Sequence, residues 1–113
     1  MKQPIIVCLC GSTRFKDAFT EAQLDETLAG KIVLTIGCSL RDDKDIFGDL
    51  SEADLRLVKA RLDVLHFAKI DLADEILVLN VDGYIGESTE REIVYAIMRG
   101  KGVRYLFVGE QGA

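Results

Sequence analysis

Two short stretches carry the residue types from which chemistry is built, and each lies between a strand-like and a helix-like segment. The first is Gly11-Ser-Thr-Arg-Phe15. Its glycine lets the backbone approach a ligand, while Ser12 and Thr13 offer hydroxyls and a following helix offers free N–H groups. Arg14 can add a charge-assisted contact to phosphate. The same residues also suit a plain helix cap beside a solvated arginine. Neither the Walker nor the dinucleotide glycine spacing is present, so the loop specifies no particular nucleotide. The second stretch is Gly83-Tyr-Ile-Gly-Glu-Ser-Thr-Glu-Arg-Glu92. Glu92 is expected in the first turn of a helix, where a carboxylate can attack an electrophilic carbon or bind a sugar hydroxyl. Thr89 and Glu92 fit a capping box equally well. Asp82 can take a proton or a ribose hydroxyl, or simply form the turn.

His66, the one histidine in the chain, falls one turn after Asp63. An Asp–His pair at that spacing can tune a proton donor near neutral pH, or be a surface ion pair without function. Asp71 and Asp74 flank the start of a strand and suit a turn. Cys8 and Cys10 share one face of a strand, and Cys38 ends the neighbouring one. With His66 they make a zinc ligand set on paper. Paired Cys-x-x-Cys knuckles are missing, however, and buried cysteines usually act as small hydrophobes. No metal and no cofactor is therefore expected.

The elements that must position these residues alternate. Pro4–Cys10 is a short β-branched run ended by Gly11, as expected of a strand buried on both faces. Phe15, Ala18, Phe19, Ala22 and Leu28 recur at helical spacing, closed by Gly30. Lys31–Ile36 reads as a second strand, and the polar stretch Gly37–Leu50 as a mobile loop. Ser51 with Asp54 is a capping box opening a helix to about Ile70. That helix has one apolar face of Leu55, Val58, Leu62 and Leu65, and a second of Leu57, Ala60, Val64, Phe67 and Ala68. A stripe of Arg56, Lys59, Asp63 and His66 separates them. One face covers a sheet, and the other calls for a second copy of the chain. Glu75–Asn80 and Val103–Val108 are further strands, with a helix from Thr89 to Arg99 between them. The order implies right-handed crossovers and a parallel sheet with helices on both sides. Ligands bind such sheets beyond the carboxyl ends of the strands, where both chemical stretches fall.

The length of 113 residues suits one domain, residues 1–113, and 49% apolar with 29% charged residues is ordinary globular composition. The net charge of −5, with no basic cluster, argues against nucleic acid or an anionic membrane as partner. No apolar run is long enough to span a bilayer, and the N-terminus is not a convincing signal peptide. Three cysteines cannot all pair within one chain. Reduced thiols and a cytoplasmic location are expected.

Three strings together resemble the nucleoside 2-deoxyribosyltransferase superfamily, which includes nucleoside 5′-monophosphate N-glycoside hydrolases. They are Val7-Cys-Leu-Cys-Gly-Ser-Thr-Arg-Phe15, Asp71-Leu-Ala-Asp-Glu-Ile-Leu-Val-Leu79 and Gly86-Glu-Ser-Thr-Glu-Arg-Glu-Ile-Val-Tyr-Ala96. The resemblance implies a flavodoxin-like or Rossmann-like three-layer α/β sandwich with a mostly parallel sheet of four or five strands. It also implies a homodimer or larger homo-oligomer. Glu92 then matches the nucleophile that attacks the anomeric carbon, and Gly11, Ser12, Thr13 and Arg14 match the loop that holds a 5′-phosphate. Ser88 and Thr89 match positions where the backbone passes close to the sugar. Cys8 stands where the family orients its nucleophile with tyrosine, and His66 where an aspartate handles the base. The implied activity is cleavage or transfer at the N-glycosidic bond of a nucleoside or its 5′-monophosphate, with His66 or Asp82 assisting proton transfer. The alternative is a catalytically silent nucleotide-binding sensor or regulatory module.

Overall fold

The computed structural model describes residues 3–36 and 48–107. Cys38 and most of the Gly37–Leu50 stretch lie outside them. The described elements are β1 (Ile6–Cys10), α1 (Lys16–Leu28), β2 (Ile32–Leu34), α2 (Glu52–Leu72), β3 (Glu75–Val78), α3 (Glu87–Met98) and β4 (Gly102–Tyr105), with a 3-10 turn at Val81–Gly83. The four strands are all parallel in the order β2-β1-β3-β4. This is the expected flavodoxin/Rossmann-like three-layer α/β fold.

The pleat divides the core in two. Cys8, Cys10, Ile76 and Val78 face Ile70 of α2 and Ile93 and Ala96 of α3. Val7, Leu9, Leu77 and Leu79 face Phe19 and Ala22 of α1. Continuous apolar strands follow from this two-sided burial, since successive side chains meet opposite helix layers. Each fully buried Val, Leu or Ile contributes about 1.5–3 kcal/mol relative to exposure. Ser51 caps α2, its hydroxyl accepting from the Asp54 N–H at 3.1 Å. Gly30 ends the α1 turn in the left-handed region at φ 87°.

The α1 face is covered by one helix, and toward β4 an ionic cluster does part of that work. Arg104 donates to Glu75 at 2.8 and 3.1 Å and also to Glu26, while Lys31 Nζ lies 2.9 Å from Glu75. Burial pushes the Glu75 carboxyl up, but Lys31 and Arg104 more than reverse this, leaving it below its ordinary value. A lowered carboxyl pKa stabilises the fold above the unfolded value, and that contribution is lost as pH falls through the folded one. Glu75→Gln is therefore expected to cost roughly 1–2 kcal/mol at pH 7, after solvent screening of the partly exposed Arg104. The gap from wild type narrows as pH drops below 4.5. Urea titrations across pH check it, and a gap independent of pH would contradict it.

β1 hands the chain to α1 on one face, and β3 hands it to α3 on the other. The crevice between these neighbouring strands is the topological switch point. Among the described residues, no helix is long and apolar enough to cross a membrane.

Candidate functional site

Both chemical loops leave the sheet at this crevice. Gly11 passes so close to β3's continuation that a Cβ there would lie 3.1 Å from Leu79 Cβ. Ser12 forms a local turn, its hydroxyl accepting from the Arg14 N–H at 3.3 Å and its carbonyl from the Phe15 N–H at 3.1 Å. The N-cap of α1 is Phe15, without a side-chain cap bond. Ser12 and Thr13 therefore do not cap α1. Arg14 is exposed, but it is not without partners. Its guanidinium lies 4.3 Å from the Tyr84 ring centroid, and Nη2 donates to the Tyr84 hydroxyl at 3.3 Å. Tyr84 in turn meets Phe15 edge-on at 5.8 Å. Arg14 and Tyr84 thus join the two loops across the crevice. The sequence signal for Tyr84 is only that of an aromatic between Gly83 and Gly86 in a ligand-side loop. Gly86 fits because a Cβ there would stand 3.2 Å from the Tyr84 hydroxyl.

The α3 helix starts two residues earlier than expected, at Glu87, with Gly86 as N-cap. The Thr89–Glu92 capping box therefore does not form, and Glu92 lies in the second turn rather than the first. Thr89 is buried. The Ser88 hydroxyl accepts from Arg91 at 3.2 Å. Asp82 is exposed and sits in the left-handed region at φ 54°, ψ 26°, the geometry of a turn former.

His66 departs most from expectation. It is buried, not on a polar surface stripe, because the inner face of α2 runs on from Leu62 by four residues to His66 and Ile70. Leu65, three residues on, is half exposed. The imidazole Nε2 lies 3.6 Å from Cys8 Sγ, 3.5 Å from Cys10 Sγ and 3.8 Å from Glu92 Oε1. Its partners come from β1 and α3 rather than from Asp63.

These neighbours retune one another. The hydrogen bond from Cys10 holds the Cys8 thiol down at about 5, against burial and with help from His66. The same shared bond, together with burial, pushes Cys10 up. Burial opposes a charge on His66, yet Cys8 and Glu92 more than reverse this and raise its pKa. Burial also raises Glu92, with His66 pulling partly back. The arrangement thus favours a thiolate on Cys8 over one on Cys10, and the charged form of His66 over the neutral one.

Nearby acids and amides hold the frame. Asp74 accepts from the Ile6 N–H at 2.8 Å, tying α2's exit to β1. Asp71 accepts from the Tyr95 hydroxyl at 2.8 Å and Arg99 Nε at 2.9 Å, bracing α2 against α3. Buried Asn80 donates to the Phe107 carbonyl and accepts from its N–H, both at 2.9 Å, imitating one more step of strand pairing. Asn80 had no sequence signal beyond ending an apolar run.

The structure thus brings Glu92, His66, Cys8 and Cys10 together. Ser12, Arg14 and Tyr84 stand beyond the same strand ends. A groove lined by Ile85, Glu90, Arg91, Ile93, Val94 and Tyr105 includes none of the expected site residues. Comparison with known proteins finds no matching family model, no matching curated protein and no matching solved structure.

Proposed function

We propose that the chain cleaves the N-glycosidic bond of a nucleoside or nucleoside 5′-monophosphate. The observation that carries this reading is the part-buried Glu92 carboxylate held 3.8 Å from the His66 imidazole at the switch-point end of the sheet. The loop of Gly11 to Arg14, which leaves β1 directly after Cys10, supports the same reading. Glu92 attacks C1′ as the C1′–N bond breaks, and the bonding pair leaves on the base. His66 or Asp82 supplies the proton that base takes up. Water then hydrolyses the glycosyl ester, the two-step logic of a retaining glycosidase. Transfer replaces that water with a second base.

Arg14 and the backbone after Gly11 hold the phosphate where one is present. Arg14→Ala is expected to raise KM for a 5′-monophosphate about tenfold relative to its nucleoside, the size of one charge-assisted contact. A panel of ribo- and deoxyribonucleosides with and without 5′-phosphate, assayed by chromatography, tests both claims. Tight nucleotide binding by calorimetry without base release would favour the silent sensor.

Self-association belongs to the same reading. Leu57, Val64, Leu65 and Leu72 on α2 and Val94, Ile97 and Met98 on α3 are exposed on the two helices that pack side by side. A second copy of the chain is the proposed cover.

A further inference from the structure

The four groups at the centre of the site make more contacts than their protons can serve. Two sulfurs and a carboxylate oxygen converge on one nitrogen, His66 Nε2, at 3.6, 3.5 and 3.8 Å. That nitrogen carries at most one proton, so it can donate to only one of the three. A cation among them would be bonded to all of them at once. The two sulfur–nitrogen distances are those of such a cation's shell, and the carboxylate oxygen lies slightly outside it. A tetrahedral zinc with Zn–S about 2.3 Å and Zn–N about 2.0 Å places sulfur and nitrogen about 3.6 Å apart, and nitrogen and a carboxylate oxygen about 3.4 Å apart. The Cys8, Cys10 and His66 donor atoms all lie within 4.8 Å of one another.

We propose that Cys8, Cys10 and His66 are the protein ligands of a zinc site, with Glu92 facing its fourth position. The fold supplies the set simply. Residues two apart on β1 present both sulfurs on one face of the pleat, and α2 lays the imidazole across them. Both cysteines are free and buried. The His66 and Glu92 side chains keep 10% and 13% of their surface exposed, which leaves an entry on their side. Two thiolates and an imidazole select zinc over magnesium or calcium, which prefer oxygen ligands. Coordination needs both sulfurs as thiolates and Nε2 without its proton, so uptake releases protons to solvent. The inference does not rest on the glycosidic reading, because its readout is metal rather than turnover; in the zinc-loaded chain Nε2 is occupied, and Asp82 is the donor left for the departing base.

The test uses the full chain, reduced with a phosphine and stripped by chelator. Zinc is titrated against a chromophoric zinc indicator, and cobalt(II) is added in a parallel sample. The expected result is one tight equivalent of zinc per chain. Cobalt should give intense visible bands of a tetrahedral centre with thiolate charge-transfer absorption in the near ultraviolet. Cys10→Ala, folded by circular dichroism, should lower the charge-transfer intensity and weaken zinc on the order of 10²-fold or more. His66→Asn should weaken it similarly, while Glu92→Gln keeps both sulfurs and the tetrahedral cobalt spectrum. The proposal is overturned if the reduced wild type cannot compete with the indicator. An octahedral cobalt spectrum without thiolate bands, or full zinc affinity in folded Cys10→Ala, would overturn it too.

Discussion

Glu92→Gln is expected to lower base release on the order of 10³-fold or more while leaving the fold intact. An amide of the same shape cannot attack C1′, and nothing else in the proposed first step replaces the lost nucleophile. His66→Gln removes a proton donor rather than a bond-forming atom, so its expected loss is smaller, about 10²-fold. The ordering of the two variants distinguishes the roles. Chromatography of released base on the best substrate of the panel gives the rates. Intact-mass spectrometry should show the added glycosyl group on wild type and none on Glu92→Gln. Burial already disfavours the ionised carboxyl, so the melting temperature of Glu92→Gln should not fall. Full turnover by folded Glu92→Gln would remove Glu92 from the chemistry.

The second large effect is on stability. Phe19 is 1% exposed and packs from α1 onto Leu9, Leu77 and Leu79. α1 is the sole described helix on that face, so the hole left by Phe19→Ala has no second helix to collapse into it. A loss of about 3–5 kcal/mol is expected. That is a large share of the 5–15 kcal/mol typical of a domain, roughly. Phe19→Leu, which restores most of the volume, should recover much of it. Urea denaturation of the three proteins measures both steps. A loss below about 1 kcal/mol for Phe19→Ala would mean that this face is held by something other than its core.

The sequence carried the architecture because two-sided burial and helix punctuation are local signals. The apolar run ending at Gly11, the Ser51–Asp54 cap and Gly30 all correspond to observed boundaries. Topology then placed Glu92 and the Gly11–Arg14 loop at one sheet edge. Packing direction was less legible. Leu62 to Leu65 and Leu62 to His66 are both acceptable helical steps, three and four residues apart, and hydropathy favoured the leucine. What turned α2 the other way lies on another element, where Cys8 and Cys10 give the imidazole polar company inside the core. The Thr89–Glu92 pattern misled for a related reason. A capping box is only a box if the helix starts there, and Gly86 allowed α3 to start sooner. The contact of Arg14 with Tyr84 left no local signal because the two are 70 positions apart.

The unequal covering of the sheet has one more consequence. Apart from the Asp71–Arg99 pair at its rim, the face toward α2 and α3 is closed by apolar contacts, whereas Glu26, Lys31, Glu75 and Arg104 tie down part of the α1 side. Raising ionic strength weakens attraction between partly exposed charges and leaves apolar packing largely alone. The domain should therefore loosen from one side in brine. The C-terminal turn of α1 would be the first to fray, while the pocket of sulfur, imidazole and carboxylate on the opposite side kept its shape.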